Sequence, residues 1–216
     1  MIDENKYLQV VSETNADITP YFDIAISQED FRDILVKHLL EIDSINVYYH
    51  SYLILNEVTK AEPSLFYHYW DQFSSLLSYD NSYHRNYGME LIANLVVVDK
   101  ENRFELIVDD YYKQLNDEKI STKKYCISHS AKIINEKPKL ANRIISKIIE
   151  SLRVNDNTEK HQNFLISELI KLLSSVDYDL LDKIAVNDFL KDVLNTTKSD
   201  KVKREIKKYS AQYFAQ

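Results

Sequence analysis

Leu76-Leu77-Ser78-Tyr79-Asp80-Asn81-Ser82-Tyr83-His84-Arg85-Asn86-Tyr87-Gly88-Met89-Glu90-Leu91-Ile92-Ala93-Asn94-Leu95 is the stretch that decides the fold. One apolar stripe ends on paired leucines, an aspartate marks a turn, and a second stripe opens behind an arginine. Outward from this stretch, the same sentence recurs. Leucines that close a helical pattern stand at 40, 77, 115, 152 and 194, and turn aspartates at Asp43, Asp80, Asp117, Asp156 and Asp200. Pro63 and Pro138, which suit a first helical position, are two such periods apart. Three series in phase at nearly forty residues are the signature of a helical repeat array.

Composition excludes the competing folds. One Gly and three Pro among 216 residues cannot supply the turns of a sandwich or barrel, nor the backbone approach that a phosphate-binding loop requires. The expected class is all-α. Residues 1–26 fit the period poorly and are read as an irregular or short-helical N-terminal cap. Residues 27–216 divide into pairs at about 27–60, 61–98, 99–136, 137–174 and 175–216.

Within the pairs the stripes are helical. Phe31, Leu35 and Leu39 lead to Val47, Ser51, Leu55 and Val58. Phe66, Trp70, Phe73 and Leu77 lead to Leu91 and Leu95. Phe104, Val108, Tyr111 and Leu115 lead to Cys126, Ser130 and Ile133. Ala141, Ile145, Ile148 and Leu152 lead to Phe164, Ile166 and Ile170. Leu181, Ile184, Phe189 and Leu194 lead to Val202 and Ile206. The sole glycine, Gly88, falls where Ser51 and Cys126 stand in neighbouring pairs, so small residues there should let helices approach closely.

A pair of this length, with an aspartate in its turn and a basic residue opening its second helix, resembles the HEAT-repeat family. Asp80 with Arg85, Asp117 with Lys123, and Asp200 with Lys203 and Arg204 carry the likeness; Asp43 and Asp156 lack the basic partner. The resemblance implies a right-handed α-solenoid of about five helix pairs, first helices outside and second helices lining a shallow groove.

Catalytic and ligand signatures are missing. A single Cys forms neither an internal disulfide nor a thiol metal site, and points to a reducing, cytoplasmic setting. None of the six histidines is followed by Glu, unlike the repeated His-Glu pairs of HEAT-like deoxyhypusine hydroxylases. No metal, cofactor or enzymatic activity is expected. The acidic opening residues show no leader pattern, and no apolar run approaches the ~20 residues of a membrane span.

Surface chemistry offers two readings. Residues 1–110 hold 7 Lys/Arg against 20 Asp/Glu, and residues 111–216 hold 20 against 14. Of 25 aromatics, 11 fall within residues 48–87. Tyr48, Tyr49 and Tyr52 point in too many helical directions for all three to be buried. With His84 and Arg85 they are candidates for an acidic, aromatic groove that takes a basic protein or peptide segment. That makes the chain a non-enzymatic interaction module. The alternative is nucleic-acid association through Lys123, Lys124, Lys203, Arg204 and Lys207, resembling remotely the HEAT-like alkylpurine DNA glycosylases.

Overall fold

The computed structural model describes residues 3–154 and 157–213, and Asp156 lies outside them. The described residues are helices and short 3-10 turns, with no strand among them. They fall into two compact units, residues 1–107 and 108–216. By sequence the first carries 7 Lys/Arg against 18 Asp/Glu, a balance of −11, and the second 20 against 16, or +4.

In the first unit, α1 (Glu4–Val11) and α2 (Pro20–Ser27) fill the N-terminal cap. Then come α3 (Glu29–Glu41), α4 (Ile45–Ala61), α5 (Trp70–Ser75) and α6 (Ser82–Leu95). Helix α5 is extended by 3-10 turns at Pro63–Tyr69 and Leu76–Ser78. Helix α4 packs on α3 and on α6, which in turn packs on α5. The cap is tied down by polar contacts around one ring. Tyr7 is fully buried, stacks on His38, meets Phe31 edge-on, and shares a hydrogen bond with Ser51 at 3.1 Å. His38 Nε2 lies 2.9 Å from the Glu4 carboxylate, and His50 Nδ1 donates to the Val11 carbonyl, also at 2.9 Å.

The boundary between the units falls within α7 (Arg103–Tyr112). The turn before it holds Asn102 at φ 57°, a left-handed conformation that asparagine tolerates better than most residues. The buried Asp99 carboxylate caps that helix, accepting from the Arg103 and Phe104 amides and from the Tyr67 hydroxyl.

The second unit continues with α8 (Ile120–Glu136), α9 (Ala141–Val154), α10 (Glu159–Ser175), α11 (Lys183–Thr196) and α12 (Asp200–Tyr213). Its helices form two layers: α8, α10 and α12 pack side by side, with α9 and α11 against them. Helix α9 buries an aliphatic stripe of Ile144, Ile145, Ile148, Ile149 and Leu152.

Most expected core positions are buried, from Phe31 to Ile206. Three are not: Ile184, in the first turn of α11, and Phe164 on α10 are exposed, and Leu194 is half-buried, with Val193 beside it taking the core position. Pro63 and Pro138 open 3-10 turns as N1 residues. The residues before them, Glu62 and Lys137, share one backbone geometry (φ −132°, ψ 62° and φ −126°, ψ 63°), outside the α region that a following proline disfavours.

Gly88 is required by packing. A Cβ built there would stand 2.7 Å from Leu76 Cβ and 2.9 Å from the Phe73 carbonyl oxygen, so α6 and the α5 segment touch backbone to backbone. Ser51 and Cys126, both fully buried, occupy comparable places.

Candidate functional site

The turns between paired helices position the site. Asp43 lies in the α3–α4 turn and Asp80 in the α5–α6 turn, both exposed. Asp117 caps the Lys119 amide at 2.7 Å, and Asp200 opens α12. In the first unit, the two turns and the helix starts beside them enclose an open cleft of ~430 Å³. Leu40, Ile42, Tyr48 and Tyr79 form its apolar and aromatic wall. Ile45 and Tyr83, 69% and 60% exposed, stand at its edge. Asp43 and Asp80 supply the charge, and no Lys or Arg lines it.

Several anchors hold this geometry. The Asn81 side chain caps α6 by accepting from the Tyr83 amide at 2.9 Å, and donates to the Tyr48 hydroxyl at 3.4 Å. Arg85 clamps the turn through Nη1, which donates to the carbonyls of Tyr79 and Asp80 at 2.6 and 2.8 Å. His84 Nε2 donates to the Leu39 carbonyl at 3.0 Å, which fixes the tautomer and leaves Nδ1 as a buried acceptor with no partner. Burial holds the His84 imidazole below its usual range, against the opposing pull of that carbonyl, so the ring is neutral near pH 7. Burial, with Glu41 nearby, raises the Tyr79 hydroxyl above the ordinary tyrosine range.

The structure separates the five residues assigned to an aromatic groove. Tyr48 and His84 line the cleft, but as buried wall residues whose rings are 4.5 Å apart. Tyr52 lies elsewhere, stacked on Tyr87 at 3.7 Å with its hydroxyl donating to Glu90. Tyr49, 41% exposed, is the one of the three tyrosines that faces solvent. The burial of Tyr48, Tyr52 and His84 follows from their helices: α4 and α6 are flanked on two sides, and both bury a wide arc. Ile45 and Tyr83 were missed. Their signal was a large apolar side chain within three residues of a turn aspartate.

The basic set is also divided. Lys123 is buried and donates to Asn157 Oδ1 at 3.1 Å. Lys124 is half-buried, with its ammonium over the Tyr125 ring at 5.0 Å. Lys203 is half-buried, while Arg204 and Lys207 are exposed on α12. Acids lie among the cations of these second helices: Glu168 pairs with Lys171, and Glu205 with Lys201.

Among the described residues no group of three His, Cys, Asp or Glu side chains could hold a metal, and no helix is long and apolar enough to cross a membrane. Cys126 is buried, its thiol raised far above the usual range by that burial. Such a thiol carries little thiolate and is a poor nucleophile.

Comparison with known proteins speaks to fold. No protein-family model matches the chain, and no curated protein does. Among solved structures, an engineered protein superposes with TM-score 0.54 at 14% identity over all of both chains. A second engineered protein does so with TM-score 0.50 at 15% identity, over all of this chain and 98% of its own. A chain from a structural study of microtubule plus end tracking by XMAP215, CLIP-170 and EB1 matches with TM-score 0.53 at 16% identity, over 97% of this chain and 81% of its own. These likenesses establish an all-helical architecture of known type.

Proposed function

We propose that this chain is a non-enzymatic, HEAT-like interaction module: a right-handed solenoid of about five helix pairs that binds a protein or peptide in the cytoplasm. The observation that carries the reading is the turn edge of the first unit. There Ile45 and Tyr83 are held open to solvent beside a cleft, while the histidines and tyrosines behind them are committed to packing. Large apolar groups at a surface concavity favour a macromolecular contact over simple solvation. The structure of the plus-end tracking study supports it by analogy of fold alone.

The nucleic-acid reading has less support. Lys123 is spent on Asn157, and Glu168 and Glu205 offset the lysines beside them.

The test is a capture from native lysate with nuclease added, comparing the wild-type chain with the Ile45→Ser/Tyr83→Ser variant at matched thermal stability. The module reading expects a discrete protein retained by the wild type and lost by the variant. Capture that vanishes with nuclease, or that the variant retains in full, counts against it.

A further inference from the structure

Resting on that reading, we infer that the occupant of the first-unit cleft is an extended protein segment presenting a lysine or arginine between apolar residues. The argument is charge complementarity joined to shape. Among the described residues, Asp43 and Asp80 are the only formally charged side chains of the lining, since the His84 ring is neutral, and both are exposed.

The groups around the cleft do not cancel this. Glu41, exposed at the end of α3, adds a third carboxylate nearby. Arg85, whose Nη1 donates to the Tyr79 and Asp80 carbonyls, brings one positive charge to the same turn, which three carboxylates outnumber. The whole unit carries a balance of −11, so the field that a partner meets on approach is also negative.

Shape sets the rest. A cleft of ~430 Å³ admits one or two side chains rather than a folded surface. Ile45 and Tyr83 would cover the aliphatic stem of a long cation, while the Asp43 and Asp80 carboxylates accept from its head. Lysine and arginine alone combine such a stem with such a head.

The experiment uses the full chain as bait for a random dodecapeptide display library, with the Asp43→Lys/Asp80→Lys variant run in parallel. Expected are enriched sequences with Lys or Arg flanked by apolar residues. A synthetic peptide of the leading sequence should bind the wild type at least ~10-fold more tightly than the charge-reversed variant, with an affinity that falls as salt rises. Enrichment of acidic or uncharged peptides, enrichment unchanged by the reversal, or no enrichment at all overturns the inference. None of these three touches the module reading, which stands or falls on the lysate capture and the Ile45/Tyr83 variant.

Discussion

Gly88 in the first unit and Cys126 in the second hold comparable places on second helices, and the contrast between them shows how differently the two halves are built. At Gly88 there is no room for even a methyl group, because the α5 segment presses its backbone onto α6. At Cys126 a thiol fits, with Sγ 3.8 Å from the Tyr111 carbonyl. The first unit is packed from rings: Tyr7, Phe31, Tyr48, Tyr52, Phe66, Tyr69, Trp70, Phe73 and Tyr87 are all buried. The second relies more on aliphatic stripes, as in α9. Rings with polar tips demand partners, and Tyr7, Tyr52, Tyr67 and Tyr69 each find one on another element. The aromatic half is therefore the more exacting, while apolar groups reach solvent at helix ends in both halves, Ile45 and Tyr83 in the first and Val154 and Ile184 in the second.

The contrast can be broken in several places. The largest effect is expected at Tyr7, where Tyr7→Ala should cost about 4 kcal/mol by leaving a ring-sized cavity and releasing α1. In the aliphatic half, Ile148→Val should cost only about 1 kcal/mol. Denaturant titration of both variants checks the pair; equal costs would erase the distinction. Next comes Gly88→Val, expected to lose about 3 kcal/mol by overpacking, against about 1 kcal/mol for Cys126→Ala. A Gly88→Val protein as stable as wild type would mean that the seam can open.

A smaller effect is linked to pH. The folded-state His84 imidazole titrates below its unfolded value, so the unfolded chain binds a proton first as pH falls. His84 therefore contributes stability that is present above its unfolded pKa and is lost as pH drops through that value toward the folded one. His84→Gln can still donate to the Leu39 carbonyl, and thermal melts between pH 7.5 and 5 should show a flatter profile for it than for wild type. The same slope in both proteins would remove His84 from the account. Smallest of all, Ile45→Ser/Tyr83→Ser should change stability by less than about 0.5 kcal/mol, as befits exposed positions. A drop of several kcal/mol there would show that the two side chains serve packing.

Sequence carried much of the architecture because helical periodicity and turn aspartates are local signals. Ser51, Trp70, Cys126 and Ile148 are buried where their stripes place them. The site was less legible for a physical reason. A second helix packed between its own partner and the next second helix buries polar residues along with apolar ones: α4 buries Tyr48, His50, Asn56 and Thr59, and α8 buries Thr122 and Lys123. Hydropathy cannot separate a buried tyrosine whose hydroxyl is satisfied from one offered to a partner. It did indicate that Tyr48, Tyr49 and Tyr52 cannot all be buried, and Tyr49 is the exposed one. Ile45 and Tyr83 escaped notice because an apolar residue in a first helical turn looks like core until its neighbours are placed. Phe164 and Ile184 failed the other way, as stripe residues left uncovered.

The central claim is that partners meet the turn edge of the acidic unit rather than the basic surface of α12. A photo-crosslinking residue placed at Tyr83 in one preparation and at Arg204 in another, each irradiated in native lysate, tests it most directly. The account predicts a discrete protein adduct from position 83 and none above background from position 204. Adducts from position 204 with silence at position 83 would contradict it.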